Sequence, residues 1–273
     1  MFEAYRTPPD YMTFWHLGAR MGIGPVSRFL RRMRRLGAVS LIDVGCGGGS
    51  NALLAAWNGY EATACDVSFQ GLNSLSHLAR QSKGAPRIRL VQCDSCRLPM
   101  ASASFDVVIA SHIIEHLDEP RALLQEAARI LRPAGVLRLS CPSRSHTMRM
   151  GRYLGLPIDP EDHKVIGYSA QEIEAMLPEG LAIDRVTYQG RFLESNIADF
   201  QHLVARSMGL AGNPAAGSNS GRSRRTPAMR VLSCCKELAL LPALALCKAE
   251  DALLFFLRGS MISLEIRKRG PRA

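Results

Sequence analysis

The segment Asp43-Val44-Gly45-Cys46-Gly47-Gly48-Gly49 constrains this chain more than any other stretch. It closes a short apolar, β-branched run over 39–44 and opens an Ala- and Leu-rich helical pattern over 50–58. Glycines at 45, 47 and 49 let the backbone turn tightly and approach a ligand closely. The first amides of the following helix then point at an anionic group. A dinucleotide fingerprint would place its third glycine at position 50, where this chain has Ser50, and an acid stands two places before Gly45. Asp66 lies 21 residues beyond Gly45, at the end of the next expected strand. A carboxylate there can accept hydrogen bonds from both hydroxyls of a ribose.

The pattern around this loop alternates. Strands are expected over 39–44, 61–67, 88–93, 105–110 and 136–141, with helices over 50–58, 70–83 and 120–131. Pro120 opens its helix at the one turn where a missing N–H does no harm. Arg132-Pro133-Ala134-Gly135 is expected to break that helix before the fifth strand. Such alternation predicts an α/β fold with a mostly parallel sheet and right-handed crossovers. Beyond 142 the pattern loosens. Ser169 with Glu172 three places on reads as a capping box for a helix over 169–177, and 181–192 as a sixth strand. Residues 195–209 and 228–258 read as helical, around a Gly/Ser/Asn/Arg-rich linker over 212–227, and 261–267 as a last strand. The expected organisation is a helical cap over 1–37, a core over 38–193, a helical insertion over 194–260, and a last strand with a basic tail over 261–273.

Hydrophobic residues make up 47% and charged residues 21%, which excludes a disordered, collagen-like or coiled-coil chain. The formal net charge is +10, with arginines dense over 28–35, 222–230 and 267–272. That excess favours an anionic partner or surface without naming one. Residues 1–10 are polar and carry no apolar secretory core, so a reduced, cytoplasmic setting is expected and the eight cysteines read as small buried residues. Cys93-x-x-Cys96 has no second pair to complete a zinc site, and no metal is expected. No run reaches the length of a membrane-spanning helix; the apolar stretch over 238–247 is interrupted by Pro242.

Further segments add specificity. Cys93-Asp94-Ser95-Cys96-Arg97-Leu98-Pro99-Met100 precedes Ser104-Phe105-Asp106-Val107-Val108, then Glu115-His116-Leu117 and Ile130-Leu131-Arg132-Pro133-Ala134-Gly135-Val136-Leu137. With these the chain resembles the class I S-adenosylmethionine-dependent methyltransferases, in the broad group that includes quinone-biosynthesis enzymes. The resemblance is specific over 40–145 and looser to 193. It implies a Rossmann-like, mostly parallel seven-stranded sheet with helices on both faces, and S-adenosyl-L-methionine as cofactor. Asp43 and the backbone of the glycine loop at Gly45, Cys46, Gly47 and Gly49 would hold the methionine end. Asp66 would bind the ribose, Val67 would lie against the adenine, and Asp94 with the backbone of Ser95 would take the adenine amino group. Ser111 would sit beside the sulfonium. One departure is Ala134, where the family has a second glycine; alanine fits unless that position needs a positive φ.

A sulfonium methyl is already activated, so the protein's task is to align it with a nucleophile and exclude water. A hydroxyl acceptor needs a base, and histidine suits neutral pH. His112, His116, His146 and His163 follow strands four and five, and the expected catalytic set is His116, His146 and His163. His116 has a competing structural role, orienting the start of the following helix. His112-Ile113-Ile114-Glu115-His116 also spells a zinc-protease pattern, but it follows a strand rather than lying within a helix. A metal held by Glu115, His116 and another histidine is disfavoured too, because His112 stands where a further acid is usual. The expected activity is methyl transfer to oxygen of a hydrophobic or lipid-linked small molecule. The alternatives are an RNA methyltransferase and a non-catalytic S-adenosylmethionine-binding partner protein. The apolar segment over 238–257 reads as a lid or as a contact with an anionic membrane, and nucleic acid is the less favoured partner. The oligomeric state is left open.

Overall fold

The computed structural model describes residues 17–82, 87–144, 164–190, 245–247, 249–250, 253 and 259–269. Seven strands form one sheet: β1 (Ser40–Val44), β2 (Glu61–Asp66), β3 (Ile88–Gln92), β4 (Phe105–Ser111), β5 (Leu131–Pro142), β6 (Leu181–Gln189) and β7 (Met261–Lys268). Their spatial order is β3-β2-β1-β4-β5-β7-β6. β1 to β5 pair in parallel, and β7 enters antiparallel between β5 and β6. The helices are α1 (Leu17–Arg35), α2 (Ser50–Trp57), α3 (Phe69–Gln81), α4 (Pro120–Ile130) and α5 (Ala170–Glu174).

The two-residue period of the strands divides the core between two faces. Leu41, Ala62, Val107, Ile109 and Val136 meet Val26, Phe29, Leu30 and Met33 of α1. Ala64 meets Ala52 and Leu53 of α2 and Leu75 and Ala79 of α3. On the opposite face Ile42, Val44, Val108, Ala110, Leu137 and Leu139 pack with Leu123, Leu124, Ala127 and Ile130 of α4 and Ile173 of α5. Each fully buried Leu or Ile here contributes about 1.5–3 kcal/mol. The expected N-terminal cap therefore contributes α1 to the sheet's own core. Its basic face is only partly solvated: Arg32 pairs with Glu265 of β7, and Arg34 lies 5.7 Å over the Tyr60 ring.

Helix starts follow the local chemistry. Ser68 caps α3 by accepting from Gly71 N–H, and Pro120 occupies the first turn of α4. Ser169 and Glu172 form a complete capping box at α5.

The segment expected to break between α4 and the fifth strand behaves differently. β5 begins at Leu131, directly after α4, and residues 132–135 are a bulge inside it. Leu131 pairs with Phe105 and Val136 with Val107, so the extra residues are extruded at the edge of one ladder. Ala134 takes φ 65° there, the left-handed conformation that favours glycine.

Among the described residues no helix is long and apolar enough to cross a membrane. The expected linker over 212–227 and nearly all of the apolar segment over 228–258 lie outside the described residues; Leu246 and Leu253 are exposed and Cys247 is buried.

Candidate active site

The strand carboxyl ends converge on the loop that follows β1. Gly45 turns the chain at φ 66°, and a Cβ on it would lie 2.2 Å from Ile113 Cδ1. At Gly49, φ 75°, a Cβ would lie 2.4 Å from Leu75 Cδ1. Both positions take the left-handed conformation that favours glycine, and a side chain on either would have to displace Ile113 or Leu75. Gly47 is different: a Cβ there would meet nothing within 4 Å. The outer glycines are pinned against Ile113 and Leu75, and the middle one faces open space. Cys46 N–H donates to Cys65 O at 3.0 Å, and Gly47 N–H to Asp66 Oδ2 at 2.7 Å, so the loop is tied to the end of β2.

Asp43 is 1% exposed, and its Oδ2 accepts from Ala52 N–H at 3.1 Å. Burial pushes its carboxyl up to about 7, against the pull of the Ala52 amide and the Asn51 side chain and with a smaller push from Asp66. It braces the first turn of α2 from beneath the loop.

Asp66 Oδ1 accepts from Ser68 N–H at 2.8 Å while Oδ2 holds the Gly47 amide. Each oxygen keeps a second lone pair for a ligand hydroxyl. Val67 beside it is 40% exposed. Cys93 N–H donates to Asp66 O at 3.1 Å, which brings the 93–97 turn against the end of β2. Asp94 builds that turn: Oδ1 accepts from Cys96 N–H at 2.8 Å, and its main-chain oxygen accepts from Arg97 N–H at 3.1 Å. Ser95 is buried within it. The Cys93-x-x-Cys96 spacing is thus the spacing of an Asp94-centred turn.

β4 ends at Ser111, which is half-buried and paired with Ser140 of β5. His112 follows at φ 54°, with its N–H donated to Ser140 O at 2.9 Å. A 3₁₀ turn, Ile114–His116, then buries Glu115 completely. The Glu115 main-chain oxygen accepts from both Lys164 N–H (3.0 Å) and Val165 N–H (3.2 Å). Its side-chain Oε1 lies 3.4 Å from His112 Nδ1. Among the described residues neither carboxylate oxygen has a hydrogen-bond partner. Burial and then the Glu115 charge push the Cys141 thiol up. Tyr168 is pushed up by burial, then by Cys141 and Glu115. His116 lies on the same turn and donates its N–H to Ile113 O at 3.0 Å. His146 and His163 lie outside the described residues.

The structure therefore brings the glycine loop, Asp66, Asp94 and Ser111 to one end of the sheet. The feature that sequence reasoning misses is the His112–Glu115 pair. Its signal is present in the H-x-x-E-H pattern, which reads as a metal motif before it reads as a histidine set beside a buried acid.

Comparisons with known proteins agree with this geometry. A family model described as a methyltransferase domain matches residues 42–139. A probable S-adenosylmethionine-dependent methyltransferase of Mycobacterium tuberculosis is 30% identical over 156 residues, 57% of this chain and 53% of that protein. The chain thus spans about half the length of that relative. A ubiquinone biosynthesis O-methyltransferase of Parvibaculum lavamentivorans is 31% identical over 186 residues, 67% of this chain and 66% of that protein. Among solved structures, the [4+2]-cyclase SpnF shares the fold with a TM-score of 0.57 at 21% identity, over 85% of this chain and 75% of that one.

Proposed function

From the premise that the chain belongs to the class I S-adenosylmethionine-dependent methyltransferases, we propose that it transfers a methyl group to an oxygen of a hydrophobic or lipid-linked small molecule. The observation that carries the reading is the grouping of the Gly47 open face, Asp66 and Asp94 at the carboxyl ends of β1 and β2 and the turn after β3. Ligands of open α/β sheets bind at that end. The residues present fit S-adenosylmethionine. Gly47 leaves space where a Cβ would intrude, Asp66 keeps acceptor capacity for ribose hydroxyls, and Asp94 has a second oxygen for an adenine amino group. Exposed Val67 offers apolar surface to a base.

When bound, the cofactor supplies a methyl carbon made electrophilic by the adjacent sulfonium. The chain's own part is to hold the acceptor in line, keep water out and manage the acceptor's proton. Oxygen as the acceptor atom is supported by the relative that acts in ubiquinone biosynthesis as an O-methyltransferase.

The test is turnover of radiolabelled S-adenosylmethionine with an alkylphenol in mixed micelles, a fatty acid, and a structured RNA. Label entering the alkylphenol or the fatty acid supports the reading. Label entering RNA alone moves the acceptor class to nucleic acid, and tight donor binding with no turnover makes this a binding protein on a catalytic fold, a fold that SpnF shares.

A further inference from the structure

We propose that the amino end of the sheet, over β1 to β3, docks on an anionic lipid bilayer, with Leu36 and Trp57 entering the headgroup layer and Arg31, Arg35, Arg80 and Arg87 facing the lipid charge. The inference goes beyond the methyl-transfer reading and holds whichever acceptor is methylated.

Three helices end on this side. α1 stops at Arg35, α2 at Trp57 and α3 at Gln81, each shortly before the amino end of a strand. Arg34 fastens the first two together. Its Nη1 donates to Ala38 O at 3.0 Å, its guanidinium lies over the Tyr60 ring, and a Cβ on Gly59 would lie 3.7 Å from its Nε. Beside that fastening two large apolar side chains face outwards: Leu36 is 70% exposed and Trp57 55%. Val39, which leads into β1, is exposed as well. The cations surround them. Arg31 and Arg35 stand one turn apart on the outer face of α1, Arg80 in the last turn of α3, and Arg87 directly before β3, and all four are exposed. Among the described residues no carboxylate pairs with any of the four. Glu61, at the start of β2, is the exposed acid nearby, and Asp106 is already held by Arg132 and by the Val39 and Ser40 amides.

The helix dipole accounts for arginines at helix carboxyl ends, but not for a leucine and a tryptophan left in water among them. A bilayer uses both. An indole has an apolar body and a polar N–H, which suits the headgroup layer, and a leucine adds apolar surface to insert. Each arginine near an anionic surface strengthens binding about fivefold. Nucleic acid would use the arginines and leave Leu36 idle. A single-strand platform also needs successive exposed aromatics, and here Tyr60 is buried beneath Arg34 with its hydroxyl donated to Leu30 O at 2.7 Å. β1 to β3 are five or six residues long, about 20 Å at the usual rise of a strand. Docking at their amino ends leaves the glycine loop on the far side, open to the donor.

The test is co-sedimentation of the full chain with vesicles of phosphatidylcholine alone and of phosphatidylcholine mixed with phosphatidylglycerol. Binding is expected on the mixed vesicles, weaker at raised salt, and not on phosphatidylcholine alone. Arg31→Glu with Arg35→Glu is expected to weaken it about 10-fold or more, and Leu36→Ser with Trp57→Ser about 10-fold. Arg121→Glu with Arg185→Glu removes the same charge from exposed positions elsewhere and is expected to bind as the parent does. All three double variants should keep the parent's affinity for S-adenosylmethionine in calorimetry. The chain has two tryptophans, so in a Trp15→Phe background Trp57 reports alone. Its emission is expected to shift to the blue on the mixed vesicles and to be quenched by brominated lipid. No binding to the mixed vesicles, an unmoved Trp57 emission, or equal losses in the Arg31/Arg35 and Arg121/Arg185 variants would each overturn the proposal. Binding that survives both patch variants would overturn it too and move the contact to the segment over 238–257. A chain that ignores vesicles but shifts a structured RNA, through Arg31 and Arg35, would reassign the surface to nucleic acid.

Discussion

Asp43 and Asp106 lie on neighbouring strands, at opposite ends of the same ladder, and the fold treats them in opposite ways. Asp106, at the amino end of β4, is saturated. Its Oδ2 accepts from Val39 N–H (2.8 Å), Ser40 N–H (2.9 Å) and Ser40 Oγ–H (2.9 Å), and its Oδ1 accepts from Arg132 Nη1 at 3.0 Å. Burial would raise its carboxyl, but those amides, the guanidinium and the hydroxyl outweigh it and hold the group at about 2. Asp43, at the carboxyl end of β1, has one amide at 3.1 Å and is pushed up to about 7 by burial. The same end carries the left-handed His112 and Glu115, whose carboxylate accepts no hydrogen bond among the described residues. The amino end is built to hold the sheet together. The carboxyl end buries two carboxylates, Asp43 and Glu115, with fewer bonds than Asp106 has among the described residues.

Breaking the amino end should give the largest effect on the fold. Asp106→Ala strands two main-chain amides and a guanidinium and is expected to cost about 3 kcal/mol in denaturant unfolding. Its folded carboxyl is depressed, so its contribution is present above the unfolded value, near 3.9 for an ordinary aspartate, and is lost as pH falls toward about 2. Donor affinity per folded molecule should not change. A variant that unfolds like the parent, or that loses cofactor binding while folded, would erase the division between the two ends.

Asp43 should show the reverse slope. Its folded carboxyl is raised, so the stability it supports is present below the unfolded value and fades as pH climbs through about 7. The rise from an ordinary aspartate, near 3.9, to about 7 sets a ceiling of about 4 kcal/mol on that loss. Asp43→Asn can still accept from the Ala52 amide but buries two N–H groups, so a net gain of about 2 kcal/mol above about pH 8 is expected, with none near about pH 4. Unfolding curves at the two pH values decide it; equal slopes for parent and variant would mean that Asp43 is not desolvated.

Much of this contrast is legible in the chain. The glycine spacing at 45, 47 and 49, Asp66 at the next strand end, and the Ser169/Glu172 box are local patterns, and local patterns survive folding. What stays hidden depends on distant partners. Arg32 reads as one more solvated arginine until Glu265, 233 residues away, folds beside it. Glu115 reads as half of a Glu-His pair or of a metal motif, and its burial shows only once Lys164 and Val165 bond to its main-chain oxygen. Asp43 stands in the motif as a letter, and its burial and its bond from the Ala52 amide show only once α2 is in place.

Asp66 sharpens the contrast from the ligand side. It satisfies the loop and is expected to serve the ribose, so Asp66→Ala should weaken S-adenosylmethionine binding about 10-fold in calorimetry, or about 1.4 kcal/mol, and leave the melting transition within a few degrees. Unchanged affinity would refute the ribose role. A collapse of the fold would move Asp66 to the structural side of the comparison.

The smallest expected effect sits at the amino end, where the structure is less than optimal. Ala134 occupies the β5 bulge at φ 65°, and its main-chain oxygen accepts from Arg267 Nη1 at 3.3 Å. A left-handed alanine costs about 1–2 kcal/mol, and glycine at the same position costs part of that back in the freedom of the unfolded chain. Ala134→Gly should therefore stabilise the protein by about 0.5–1 kcal/mol, a rise of a few degrees in Tm for a chain of this size. Gly135 admits no such exchange in reverse, because a Cβ there would lie 2.9 Å from Arg132 O and 3.1 Å from Asp106 O. Ala134→Gly and Gly135→Ala should move Tm in opposite directions while donor affinity stays constant in both. If instead Ala134→Gly altered affinity at unchanged Tm, strain at the amino end would be coupled to the site, and the two ends of the sheet would not be separable.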